Sequence, residues 1–461
     1  MDNKDPLSGP VAGVYLRWAL PSVFGLLSIS TAALVDGIFI GNYAGAEALA
    51  AVNLIMPFLS LLFALGLMLG VGGSVRAGKY LGEQNDAAAS AVFSKTMIVI
   101  AGLAMVVLPV IWWQKEAIFF GLGATPPLIP MMDRYLGILL IGLGPQIVMI
   151  VLYFFVKVDG NPGLASAALL AGSLSNIVFD ALFIAWYGMG VAGAAWATNI
   201  AQFLQLIIMS GHFLSRRRRL HWQWPLHDWR EVLQGTANGI SEFINEISGG
   251  LVTFVVHWLL VLRVGVPGVA AYTVANYFMF FGMITAWGLS DAMQVVISQN
   301  YGARQAERIR QVLKIATLCN LLVAGVLVTA LLVRTGPMVA LFLPDGEKAV
   351  LELAESYIYI LWPILFTFGL NGVASGYFTA IHRPVTSGFL SIMRALILPG
   401  TLLGLFSLVE TGFDILWALP LAGMINLIMA ALLILANPPS RVIRQLIQRE
   451  GPAPAASTDP A

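Results

Sequence analysis

The chain has 461 residues, of which 58% are hydrophobic and 11% charged, with a net charge of +1. A soluble domain carries about 25% charged residues, so an ordinary soluble protein is excluded and a polytopic membrane protein is expected. The balanced charge gives no reason to expect a nucleic-acid partner, and the single cysteine, Cys319, excludes a disulfide within the chain or a thiolate metal site.

A helix needs about 20 apolar residues to cross a bilayer. By that rule the chain offers twelve spans, near 12–39, 47–75, 90–113, 127–154, 162–186, 191–213, 231–262, 269–297, 311–334, 350–378, 384–408 and 413–436. The first is too long for a cleavable signal peptide and lacks a small-residue cleavage site. The most polar connection, 215–229, divides the spans into six plus six. The expected organisation is an N-lobe over 1–213, a cytoplasmic basic linker over 214–230, a C-lobe over 231–437 and a cytoplasmic tail over 438–461. Of the 25 Lys and Arg residues, only Lys115, Arg134, Arg263, Arg334 and Lys348 fall on the far side when the N-terminus is placed inside. That asymmetry predicts cytoplasmic N- and C-termini. The arginine run 216–219 reads as part of the same topology signal.

The two halves repeat. A shift of 220 residues places Gly45 on Gly265, Ala50 and Ala51 on Ala270 and Ala271, Phe58 on Phe278 and Gly82 on Gly302. A shift of 222 places Tyr135 on Tyr357 and Pro162 on Pro384. This argues for an internal duplication. Six spans per half put both halves the same way up, related by a pseudo-twofold axis along the membrane normal. Matched halves flanking a central cleft suit alternating access.

The first span carries one acid, Asp36. A carboxylate at membrane depth costs roughly 2.5–3.5 kcal/mol on insertion scales and marks a functional site by default. Asp180 lies 18 residues into span five, about 27 Å along a helix, which puts it in the outer half as well. Asn176 precedes it by one turn on the same face. Thr198 lies a turn or two into span six. Two carboxylates, an amide and a hydroxyl are thus expected at one depth, with no Lys or Arg beside them. Close carboxylates in a low dielectric hold a proton or a small hard cation through their oxygens, so the site can take H+ or Na+. The alternative is that Asn176 and Thr198 bond between helices while the acids cap helix ends.

The second half does not repeat the acids. Asp36 falls on Val256 and Asp180 on Leu402. Span seven instead has Glu242 and Glu246, one turn apart, and His257 further out. The two glutamates are secondary candidates for substrate binding or proton relay, against structural pairing with Asn245 or Asn276. His257 is a weaker candidate, since a lone histidine more often packs. Asp291 reads as structural, and Arg394 as a side chain that snorkels to the cytoplasmic interface. Pro21 removes a backbone hydrogen bond within span one and is a candidate hinge or static kink.

Several stretches resemble the multidrug and toxic compound extrusion (MATE) transporters, over essentially the whole chain. They are LVDGIFIGNYAGAEALAAVN in span one, NPGLASAALLAGSLSNIVFDALFI in span five, GVAGAAWAT opening span six, and GVAAYTVANYF and QNYGAR in the second half. The SNIVFDALFI and GAAWAT pair is more similar to the bacterial DinF-type branch. The resemblance implies an all-α fold of two six-helix lobes in a V shape. It also implies a cation-coupled antiporter, with H+ or Na+ as coupling ion, that exports amphipathic and often cationic compounds across a bacterial inner membrane. It implies further that the N-lobe ion site is Asp36, Asn176, Asp180 and Thr198, and that Pro21 is a first-helix proline linked to bending. A dedicated natural-product exporter or a lipid-linked saccharide flippase of the same superfamily is the alternative. No cofactor is expected, and a monomer in the bilayer is. The sequence shows no nucleophile–base pair, histidine cluster or phosphate-binding loop, so an enzyme is not expected.

Overall fold

The computed structural model describes residues 5–216, 218–224, 227–342, 348–408 and 414–452. Lys4 and Arg217, used above for topology, and the tail beyond residue 452 lie outside them. Among the described residues every regular element is helical, and twelve helices are long and apolar enough to span a membrane. In chain order they are Val11–Ala44, Ala46–Gly82, Asp86–Gly121, Ile129–Val158, Pro162–Trp186, Val191–Leu214, Ile240–Arg263, Val266–Gly302, Ala306–Val333, Lys348–Ala380, Pro384–Leu408 and Ile415–Ala436.

The helices used below are α1 (Val11–Phe39), α2 (Ala46–Gly82), α3 (Asp86–Gly121), α4 (Ile129–Val158), α5 (Pro162–Asp180) and α6 (Val191–Ser210). A short helix α7 (Arg230–Asn238) precedes α8 (Ile240–Arg263), α9 (Val266–Gly302) and α10 (Ala306–Val333). Then come α11 (Thr335–Phe342), α12 (Lys348–Leu361), α13 (Pro363–Ala380), α14 (Pro384–Ile392), α15 (Leu398–Leu408), α16 (Ala418–Ala436) and α17 (Pro439–Glu450). The expected seventh span, 231–262, is therefore two helices that meet at Gly239.

The duplication is visible in the backbone. Helices α2 and α9 each have 37 residues, offset by the same 220 positions as their sequences. Left-handed residues recur at the same offsets: Gly45 (φ +92°) with Gly265 (+82°), Gln84 (+58°) with Arg304 (+56°), and Gly160 (+93°) with His382 (+57°). A left-handed residue after a helix turns the chain at once into its neighbour. The same tight corners therefore separate the same spans in both halves, and Pro162 and Pro384 each open the helix that follows.

The chain forms two compact units, one of residues 24–239 and one of residues 1–23 with 240–461. This differs at two places from the division expected from the sequence. The first 23 residues belong with the second half. Tyr15 donates its hydroxyl to the Leu289 carbonyl at 3.1 Å, and Asn300 and Arg308 both donate to the Pro6 carbonyl. Helix α7 belongs with the first half. Its backbone packs directly on α2, where a Cβ at Gly72 would overlap the Gly235 carbonyl and one at Gly239 the Met68 carbonyl.

The 215–229 connection is likewise fastened to the first unit. Arg219 forks onto Asp86, and buried Asp159 accepts from His212 Nε2 at 2.6 Å and from the Arg219 and Leu220 amides. In the second unit, the tail forms α17, which seats Val442, Ile443 and Leu446 against α10. Large apolar side chains such as Met105, Trp113, Ile207 and Leu432 remain exposed on the spans, as lipid contact requires.

Candidate functional site

In the first unit α1 and α5 each carry their acid beside a π turn. Asp36 lies one turn before Ile40–Ala44, and Asp180 directly before Ala181–Trp186. A π turn widens the helix by one residue and re-aims the neighbouring side chains, and such turns are frequent at functional sites. The result brings the two carboxyl groups to hydrogen-bonding range of one another. Asp180 is fully buried and Asp36 half-buried. Both Oδ atoms of Asp180 and Oδ1 of Asp36 are shielded and lack a hydrogen-bond donor. No Lys or Arg among the described residues acts on either group.

Two ionised carboxylates are both acceptors, so neither satisfies the other. Three shielded oxygens without a donor could together accept one proton or one small cation. Burying two ionised carboxylates uncompensated costs several kcal/mol per charge, which such a partner would offset.

Of the other expected members, Asn176 is buried on α5 one turn before Asp180, and Thr198 is half-buried on α6. Neither bonds to an acid among the described residues. Tyr135 on α4 was not assigned to the site from sequence. It is 2% exposed and lies within electrostatic range of both Asp36 and Asp180. Two signals pointed to it. It pairs with Tyr357 in the repeat, and it lies six residues, about 9 Å, into its span, the depth assigned to the acids.

The second unit holds a different cluster. Buried Glu242 on α8 accepts from Gln294 Nε2 on α9 at 3.3 Å and is within electrostatic range of Glu246, Asp291 and Arg394. Arg394 does not snorkel outward as expected. It donates Nη2 to Asn245 Oδ1 at 2.7 Å, with its guanidinium carbon 4.7 Å from the Phe368 ring centre. The π turn Met393–Ile397, between α14 and α15, turns it into its own unit. His257 stands apart, eleven residues beyond Glu246 and so about 16 Å along α8. It meets Tyr272 edge to face at 5.5 Å beside the apolar Val256 and Leu260, a packing role. Pro21 lies within α1 without ending it, two residues before the boundary between the units.

The sequence profile of the MatE family matches residues 21–182 and 248–400, more than half of the chain. The chain belongs to the MatE family of membrane transporters. It is similar to a FAD transporter of Shewanella oneidensis, 25% identical over 92% of this chain and 94% of that protein. It is also similar to the multidrug export protein MepA of Staphylococcus saprophyticus, 21% identical over 91% of this chain and 92% of the other. Among solved structures, an outward-facing conformation of a multidrug resistance MATE family transporter superposes with a TM-score of 0.87 at 22% identity. That match covers 97% of this chain and 98% of the other. A MOP superfamily transporter from Pyrococcus furiosus gives 0.87 at 23% identity, covering 97% and 98%. These likenesses place the fold, two six-span repeats, with the MATE transporters.

Proposed function

We propose that this MatE-family transporter is a proton-coupled antiporter that exports amphipathic, often cationic molecules across a bacterial inner membrane by alternating access. The observation that carries the reading is the Asp36–Asp180 pair, with its shielded, donor-free oxygens and no basic partner. A proton between the two acids forms a hydrogen bond that the ionised pair lacks, and its departure leaves two charges that must be rehydrated or separated. Occupancy therefore changes how α1 and α5 pack, which couples proton movement to helix movement. Na+ would use the same oxygens, with Asn176 and Thr198 completing its shell. Pro21 supplies a weak point in α1 at which such a change bends the helix. The name of the MepA relative supports multidrug export, and that of the Shewanella relative supports a dedicated metabolite exporter as the second reading.

The test is transport of a fluorescent cationic dye in proteoliposomes under a pH gradient or a Na+ gradient, for the native chain and Asp36→Asn. A pH gradient alone is expected to drive exchange by the native chain, with the folded variant inert. Normal transport by Asp36→Asn under both gradients would refute the assignment of the pair as the coupling site.

A further inference from the structure

The second unit carries a guanidinium at membrane depth that the proposed proton exchange does not use. Arg394 lies ten residues into the span Pro384–Leu408, about 15 Å along the helix. An arginine at such depth normally pairs with an acid. Here no carboxylate among the described residues is within ion-pairing distance. Glu242 acts on Arg394 only through space, its Oε1 accepting from Gln294 instead. Nη2 is used by Asn245, whereas Nη1 is buried and has no hydrogen-bond partner.

A guanidinium presents five N–H donors in a rigid fork that matches a carboxylate or phosphate. Asn245 and the Phe368 face hold the plane of this fork, and most of its donors are unspent. A purely structural arginine would be expected to have its donors satisfied, because leaving them buried and bare is destabilising. The residue as a whole is half-buried while Nη1 itself is shielded, so an oxyanion would meet the fork out of bulk water.

We propose that Arg394 is a recognition site for an oxyanion, a carboxylate or a phosphate, carried by the transported molecule. This names a substrate feature of the exporter proposed above and rests on that reading. Glu242 lies within electrostatic range of the fork, and both Glu242 and Glu246 stand on the same helix as Asn245. The cluster therefore fits an amphipath that carries both an anionic and a cationic group better than one carrying a cation alone.

Equilibrium binding to the full chain in nanodiscs, read by fluorescence, tests this with two matched pairs of probes. Rhodamine 6G is an ester and rhodamine 19 its free acid; riboflavin lacks the phosphate that flavin mononucleotide carries. Arg394→Gln is expected to weaken the acid member of at least one pair by about tenfold or more, while the ester and riboflavin change by less than about twofold. Arg394→Lys keeps the charge without the fork and is expected to recover part of the loss. The rhodamine arm reads a carboxylate and the flavin arm a phosphate. Equal losses within each pair, no loss in either, or no binding of either acid by the native chain would overturn the proposal. Binding is read without a gradient, so it is independent of coupling. Proton-driven export of rhodamine 6G by Arg394→Gln, measured in parallel, separates failure of this site from failure of the exporter reading.

Discussion

The two units share a backbone plan and differ in their charges. The first buries two acids against one another with no cation in reach. The second keeps Glu242 in the field of a fixed cation, Arg394, with Glu246 and Asp291 within range of Glu242, and gives Glu242 an amide donor. A fixed cation offsets charge in the second cluster, and on the proposed function a moving one does so in the first. Duplication preserved the corners and proline openings that set helix geometry. It left the side chains inside free to diverge, so one half buries two acids without a basic partner and the other carries an arginine beside its acids.

The sharpest way to break this contrast is to neutralise one acid from each unit. Asp180→Asn is expected to reduce proton-driven transport by roughly 100-fold, the scale of losing a group that handles the proton. Glu246→Gln, one turn from the arginine-facing Glu242, is expected to alter it by less than about tenfold. Equal losses in proteoliposomes would mean that the two clusters share the coupling.

The next effect tests the packing that gives α7 to the first unit. Position 72 is glycine, and its repeat counterpart is Ala292. Gly72→Ala makes the halves alike there and drives a Cβ into the Gly235 carbonyl, so it is expected to cost about 1–3 kcal/mol. Gly325→Ala on α10 meets open space and is expected to be neutral or slightly stabilising, by up to about 1 kcal/mol. Thermal unfolding of the two variants reads the difference.

A smaller effect separates the repeated tyrosines. Tyr135 lies within electrostatic range of both Asp36 and Asp180, whereas the buried Tyr357 hydroxyl has no hydrogen-bond partner and lies within range of Asp414 alone. Tyr135→Phe is expected to slow transport roughly fivefold, or about 1 kcal/mol, the net value of one ordinary hydrogen bond. Tyr357→Phe should leave transport and stability within about 0.5 kcal/mol. Transport that is insensitive to Tyr135→Phe would remove that residue from the site.

Much of this was legible in the sequence because it depends on composition and period. Apolar length gave the twelve spans, a constant offset gave the repeat, and position along a helix put Asp36 and Asp180 at one depth. What was not legible depends on which faces meet. Span seven breaks at Gly239 because two backbones touch at Gly72 and Gly235, a contact between residues far apart in the chain. The three π turns leave no composition signal, yet they aim Asp36, Asp180 and Arg394. Arg394 was expected to reach outward, because the Asn245 and Phe368 that hold it lie on other helices. The first 23 residues join the second unit through contacts such as the bond from Tyr15 and the two to Pro6, which no periodicity marks.

The smallest expected effect contrasts the short helices that follow the last span of each half. Helix α17 is seated by Val442, Ile443 and Leu446, an apolar contact that does not titrate. Helix α7 is held in part by Glu231, which accepts from Lys95 Nζ at 2.8 Å and from the Tyr80 hydroxyl at 2.5 Å, with Arg76 nearby. Burial opposes the charge of Glu231, but the hydrogen bonds from Lys95 and Tyr80 and the charge of Arg76 outweigh it and hold the carboxyl below its ordinary value. A carboxyl lowered by folding stabilises fully above its unfolded pKa, about 4.3, and loses that contribution as pH falls through the lower folded value. Hydrogen exchange over residues 230–238, corrected for intrinsic rate, should therefore be flat from about pH 5 to 8 and lose protection below about pH 4. Glu231→Gln should lower protection by about 1 kcal/mol and abolish the acid-side change, while residues 439–450 keep theirs in both proteins. Equal loss in α7 and α17 on acidification would mean that the whole fold, and not the Glu231 contact, gives way at low pH.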